Sequence, residues 1–294
     1  MYTAKILADS IANGVRLVTM EVTFPRFILA EFNTHRVFSR NSASSRAIPV
    51  HKRIAQVWSN PFVPESFGLN KSGMQASANL GGWRASLARW LWVMASRFCV
   101  LIAWAMSKID VHKQLANRVI ELWAWHTVVV TATEWENFFN LRTHKAAQPE
   151  MQITARRMRE AFDASTPREL QSGEWHLPYV DEEEKEILRD KTDDLVKISV
   201  VRCAAVSFER QYAARTINQC ITRHDEMRSL AHWSPFEHQA KVATHEEQKD
   251  HASWSVCDHP EAGEQLTAGF MGNLRAPWLQ YRKTFQGEEV WTAE

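Results

Sequence analysis

Residues 17–46, LVTMEVTFPRFILAEFNTHRVFSRNSASSR, run from a strand pattern straight into a cluster of anion-seeking donors. In LVTMEVTF, Val18, Met20, Val22 and Phe24 alternate with Thr19, Glu21 and Thr23. A period of two predicts a half-buried strand. Pro25 ends it, and RFILAEFNTHR reads as a helix leading into THRVFSRNSASSR, residues 34–46. There His35, Arg36, Ser39, Asn41, Ser44 and Arg46 supply donors at close, irregular spacing. Guanidinium groups grip phosphate bidentately, and hydroxyls or free backbone N–H groups complete such a cage. The bland alternative is a serine-rich loop with solvated arginines.

The chain around this stretch is ordinary in bulk: 294 residues, 45% hydrophobic, 23% charged, net charge +1. A near-neutral chain has no whole-molecule field for nucleic acid or membrane, so any bound anion must meet local clusters. Cys99, Cys203, Cys220 and Cys257 form no CxxC pair, and MYTAKILADS has no basic-then-apolar leader pattern. Buried thiols in a cytoplasmic setting are the expectation. WLWVMASRFCVLIAWAM, 90–106, is interrupted by Arg97 and reads as a buried or interface helix rather than a membrane span.

Further along, Pro, Gly, Ser and Asn mark a long excursion over 59–83, with helices expected at about 84–108, 112–125 and 131–141. Another helix should start near Gln148, with Pro149 in its first turn and Ala147, Met151, Ala155, Met158 and Phe162 as one stripe. Residues 166–191 read as a polar connection, LVKISVVRCAAVSF (195–208) as a strand, NQCITRHDEMRSLAH as a helix and HQAKVAT as a third strand. Without βαβ alternation, GxGxxG or a P-loop, the fold class is α+β: a small, mostly antiparallel sheet flanked by helices, one domain over 1–294 with a helical excursion inserted at about 53–110.

Two more clusters carry possible chemistry. In NFFNLRTHKAAQPEMQ, 137–152, Arg142 and Asn137 sit amid Phe138, Phe139 and Leu141. Such an arginine either snorkels or awaits an anion or carbonyl. HWSPFEH, 232–238, offers His232, Ser234, Glu237 and His238; even with Cys257 and His259 it lacks metal-ligand spacing, so no metal is assigned. GNLRAPWLQYRK, 272–283, whose Arg/Lys spacing could serve an anionic cofactor tail, is left without a role.

Together these clusters resemble the flavin-dependent thymidylate synthases. The family signature, Arg-His-Arg, two free positions, Ser, one free, Asn-Glu, one free, Ser, one free, Arg, is met by His35, Arg36, Ser39, Asn41, Ser44 and Arg46, with Thr34 and Ser42 as departures. Asn137, Phe138, Arg142, Ala147, Gln148 and Glu150 resemble a second family segment. LANRVIELW resembles the helix of a substrate-binding arginine, at Arg118. CAAVSF and His232–His238 resemble a strand and a turn that precede the signature in the family but follow it here. The order looks circularly permuted, which is allowable where chain ends lie close at the surface.

The resemblance implies one-carbon transfer from methylenetetrahydrofolate to C5 of dUMP, with FAD supplying hydride and NADPH reducing it. Arg46, Arg118 and Ser44 would hold the nucleotide phosphate, and Arg142 would face the pyrimidine carbonyls. His35, Arg36, Ser39, Asn41, Asn137, Ser207, His232, Ser234 and Glu237 would meet the flavin. Sites shared within a homotetramer are implied as well. Glu31 stands where a glutamine usually approaches the substrate, replacing a two-way amide with an acceptor. That change raises dCMP, or a hydroxymethyl product, as variants. Rivals are a non-catalytic relative and a nucleic-acid-binding module using the thirteen tryptophans for stacking.

Overall fold

Asn13 and Gly14, at φ 47° and 77°, close the first hairpin. Asn-Gly is the pair that a two-residue turn with two positive φ angles demands. The computed structural model containing it describes residues 1–73, 75–76, 78–208, 216–247, 273–285 and 288. β1 (Thr3–Ala12) and β2 (Val15–Pro25) pair antiparallel through this turn. β4 (Trp125–Ala132) lines the other edge of β2, and β3 (Ser39–Ser42) pairs with β4. β5 (Arg168–Glu169) runs parallel to β1, completing the order β3-β4-β2-β1-β5. A second, antiparallel sheet holds β6 (Trp175–His176), β7 (Ala240–Val242) and β8 (Trp278–Gln280). The α+β class is as expected from the sequence.

The alternation in β2 aims Val18, Met20, Val22 and Phe24 into a core shared with Val128, Val130, Phe138 and Phe139. α5 (Glu136–Arg142) and α6 (Pro149–Ala164) cover it, with Met151, Ala155 and Met158 buried at helical spacing. The other face of β2 is not solvated, because the second sheet lies over it. Thr19 is fully buried and bonds both Thr131 Oγ1 (2.7 Å) and His176 Nε2 (2.8 Å). Trp278 Nε1 donates to the Val15 carbonyl (3.0 Å), stitching the sheets together.

Several expectations fail for one reason: short apolar runs have no decisive period. LVKISVVRCAAVSF is no strand but α8 (Thr192–Ala204) followed by a 3-10 turn over Ala205–Phe208. Leu195, Val196, Ile198, Ser199, Val200, Val201 and Cys203 are all buried, so a helix wrapped on nearly every side mimics a core strand. RFILAEFNTHR forms only a 3-10 turn (Arg26–Ile28) and α1 (Leu29–Phe32) before turning away. The helix expected over 112–125 is α4 (Lys113–Ala116) and a 3-10 segment (Asn117–Trp123); the β-branched run after it makes β4. Within the stretch expected to be helical over 131–141, β4 continues to Ala132 and α5 begins at Glu136.

α2 (Val50–Ser59) and α3 (Gly82–Lys108) form a side cluster around Val57, Val100, Ala103 and Ile120, with the excursion between them. The burial expected of α3 is not found. Among the described residues it is the one helix long and apolar enough to cross a membrane, yet only 17% of its apolar window is buried. α7 (Glu182–Ile187) starts in a capping box on Asp181, and α9 (Ile217–Ser229) in one on Thr216. Cys99 and Cys203 are free thiols, and Cys203 and Cys220 are buried; Cys257 and His259 lie outside the described residues.

Candidate active site

Because β3 is the sheet edge, its donors sit where the 3-10 turn Ser234–Glu237 can dock on them. Asn41 Nδ2 donates to the Cys203 carbonyl (2.7 Å), and Ser234 Oγ donates to Asn41 Oδ1 (3.0 Å). Ser39 Oγ donates to Asn273 Oδ1 (2.8 Å) and accepts from Gln280 Nε2 (2.9 Å), which also reaches the Glu237 carbonyl. Four candidates, Ser39, Asn41, Ser234 and Glu237, are thus brought together across more than 190 intervening residues.

The Glu237 carboxylate is committed to Arg282, which with Lys283 also grips the buried Glu288. Burial raises the Glu237 pKa against the pull of Arg282. Arg282 therefore locks this turn and Lys283 is held by Glu288, whereas Arg275 pairs with Glu134 and keeps 67% of its side chain in solvent. Arg40, half-buried within β3, has its pKa lowered by desolvation against the support of Glu237. Asn41 retains one N–H and one lone pair beyond its two protein bonds.

A second group forms where α1, α5 and α6 meet. Arg142 Nε donates to His35 Nε2 (2.7 Å) and Nη2 to Thr34 Oγ1 (2.8 Å). His35 is buried, and desolvation with Arg142 and Arg40 nearby drives its pKa down to about 4. It is the neutral Nδ1–H tautomer, since Nε2 accepts. Thr34, in place of the signature arginine, also donates to the Glu31 carbonyl (2.7 Å). The Glu31 pKa is raised by desolvation and by Glu150, against Arg142, and its Oε2 is buried without a hydrogen bond. Glu150 is buried and accepts from Gln148 Nε2 (2.8 Å).

The third group faces solvent. Asn117 Nδ2 donates to the carbonyls of Ser45 (2.7 Å) and Ile48 (2.8 Å), pinning the loop that carries Ser44 and Arg46 beside Arg118. Arg46 is exposed, and Arg118, ion-paired with Glu121 at 3.3 Å, keeps 56% of its side chain in solvent. Arg36, Asn137 and His232 are exposed too, apart from these groups' buried bonds. The Ser207 side chain lies outside what the structure describes. Among the described residues no cluster of His, Cys, Asp and Glu could hold a metal ion.

Sequence reasoning missed the supporting partners Asn117, Asn273, Gln280 and Arg282. Asn117 adjoins Arg118 and the other three fall in the unassigned 272–283 stretch, so proximity was the one signal available.

Among curated proteins none matches the chain. Similar solved structures include a UMP/dUMP methylase PolB from Streptomyces cacaoi bound with 5-Br dUMP, at 17% identity and TM-score 0.42 over 50% of this chain and 65% of that one. The same methylase bound with 5-Br UMP matches at 16% identity and TM-score 0.44, over 55% of this chain and 88% of that one. Thymidylate Synthase X from Helicobacter pylori with FAD and dUMP matches at 18% identity and TM-score 0.35, over 50% and 67%. This chain thus spans just under two thirds of the first of them. The family model for thymidylate synthase complementing protein matches residues 16–168. That match covers more than half of the 294 residues and includes β2, the whole donor-rich stretch, Arg118 and Arg142, and by it the chain belongs to the thymidylate synthase complementing protein family.

Proposed function

We propose that this chain is a flavin-dependent transferase that moves a one-carbon unit from methylenetetrahydrofolate to C5 of a deoxypyrimidine monophosphate, with dUMP to dTMP as the leading reaction. The observation that carries the reading is Asn41. It joins the signature-like strand to the CAAVSF-like segment through the Cys203 carbonyl, and to the SPFEH-like turn through Ser234. Both segments lie beyond the family-model match, so the same contacts favour one domain of circularly permuted order with residues 53–110 as its helical insertion.

The donor set fits such ligands. Arg46 and Ser44, on the loop pinned by Asn117, and Arg118, next to Asn117 in sequence, would supply two guanidiniums and a hydroxyl to a phosphate dianion. Charge-assisted bonds of this kind contribute roughly 1.5–3 kcal/mol each. Arg142 is oriented by His35 and Thr34 and keeps guanidinium N–H groups for pyrimidine carbonyls, where it would steady negative charge as C5 becomes nucleophilic. Asn41, Ser234, Asn137, His232 and Arg36 would hold FAD, with buried Ser39 bracing β3 through Asn273 and Gln280 and His35 orienting Arg142 behind them. Reduced FAD, when bound, supplies hydride, and NADPH restores it. The exposed cations lie at the protein surface, in keeping with sites completed by other subunits of a homotetramer. The setting proposed is cytoplasmic.

Glu31 favours a second reading of the base. Its carboxyl, partly buried and raised in pKa, donates and accepts like an amide when protonated, and accepts alone when ionised. The protonated form suits uracil, and the ionised form suits an exocyclic amine, as on dCMP. Incubation with dUMP or dCMP, methylenetetrahydrofolate and NADPH, followed by mass spectrometry of the nucleotide, tests both. A methylated uracil supports the leading reaction. Product from dCMP alone, or a hydroxymethyl adduct, moves the assignment to the variant, and neither product with FAD bound leaves a non-catalytic relative.

A further inference from the structure

α3 carries two apolar faces, and the protein uses only one. Ser96, Val100 and Ala103 are buried against the α2 side, and Trp92 Nε1 donates to the Phe62 carbonyl (2.8 Å). The opposite face is open: Trp83, Leu87, Trp90, Leu91, Met94, Phe98, Leu101, Ile102 and Trp104 are 37–72% exposed. Taking about 200 Å² for each large side chain, the open stripe is roughly 900 Å². That is more than a monomer leaves bare, and close to one side of a standard interface at ~800 Å² per partner.

The spacing of the stripe says what covers it. Its ridge runs through residues 83, 87, 90, 94, 98, 101 and 105, over roughly 33 Å of helix axis. These positions are symmetric about Met94. Laid antiparallel on a copy of itself, Met94 meets Met94 of the copy, Trp90 meets Phe98, Leu87 meets Leu101, and the large Trp83 meets the small, exposed Ala105. Arg84 then comes level with Trp104, a cation over an indole face. Arg97 is drawn aside onto Trp58, 4.4 Å from its ring and bonded to its carbonyl. A parallel pairing would instead set each of Arg84, Arg89, Arg97 and Lys108 beside its own copy, on a helix with no Asp or Glu. We infer that the exposed face of α3 pairs antiparallel with α3 of a second copy of this chain, about a two-fold axis at Met94. A two-fold contact of this sort is self-complementary and closes.

This inference does not rest on the catalytic reading, and its test reads assembly rather than turnover. In sedimentation velocity of the full chain at micromolar concentration, Leu87→Glu should raise the dissociation constant of one assembly step about a hundredfold, as truncating a central anchor does. Leu87→Glu with Leu101→Lys should restore it, because those side chains face each other only in the antiparallel register. Met94→Cys should yield a disulfide-linked dimer under mild oxidation. All three positions are exposed, so circular dichroism should show an unchanged fold. A wild-type chain that stays monomeric, an L87E defect not rescued by L101K, or wild-type protein floating with phosphatidylcholine–phosphatidylglycerol vesicles through α3 would overturn the inference.

Discussion

The edge around β3 and the outer face of α3 invert the usual distribution of residues in opposite directions. At β3 the polar groups are inside: Thr19, Thr131, Ser39, His176 and His238 are all at most 1% exposed. At α3 the large apolar groups are outside. The first inversion is sustained by hydrogen bonds, from Ser10 through His176, Thr19 and Thr131 to His238, each 2.7–2.9 Å long. A buried polar group is tolerable only when so partnered. The second has no internal compensation, so it points to a partner. Polar residues placed inside mark a shape that must be held; apolar residues placed outside mark a surface that must be covered.

Acid should break the polar region first and most strongly. Burial keeps His176, His238 and His126 neutral, with pKa values pushed down to about 3, and His35 to about 4. A histidine near 6.5 when unfolded takes up a proton there before the folded form does. Stability is therefore complete above about pH 6.5 and lost progressively as pH falls towards 3. With up to four protons taken up on unfolding, the slope approaches roughly 5 kcal/mol per pH unit near pH 5. Urea midpoints measured from pH 7.5 to 5 should fall steeply, and a flat profile would show that these histidines are not buried neutral.

Asn41→Ala comes next. It removes two hydrogen bonds that tie distant segments to β3, and should cost about 2 kcal/mol. For a chain of this size that is a Tm lower by roughly 4–8 °C. It should also abolish FAD retention, whereas an unchanged Tm would detach β3 from the SPFEH turn. Glu31→Gln should have a smaller effect of opposite sign. A carboxyl raised in the folded state ionises first in the unfolded chain, so it destabilises as pH rises through its folded pKa. The amide removes that, raising Tm at pH 8 but not at pH 4. Smallest of all, Met94→Gln on the open face of α3 should move the stability of the monomer, measured in dilute solution, by under about 0.5 kcal/mol.

The α+β class, β2, α3, α6 and α9 were legible because their periods are long or cleanly alternating. The Asn-Gly hairpin and β4 followed short-range rules but went unread beside the more conspicuous donor stretch. α8 could not be distinguished from a strand, since burial on nearly every side erases the period. Residue types in the candidate site were legible, and so were the groups that come together at β3. Their internal bonding was not: Glu237 spends its charge on Arg282, and Thr34 serves Arg142, contacts that depend on segments far apart in sequence.

The central claim, that the donors gathered at β3 and its docking turn hold a flavin beside a nucleotide, is tested most directly by the absorbance spectrum of the purified chain. The account predicts a yellow protein that releases FAD on denaturation, with Asn41→Ala colourless and wild-type flavin bands shifting on addition of dUMP or dCMP. A colourless wild-type chain that neither takes up added FAD nor quenches its fluorescence would contradict it.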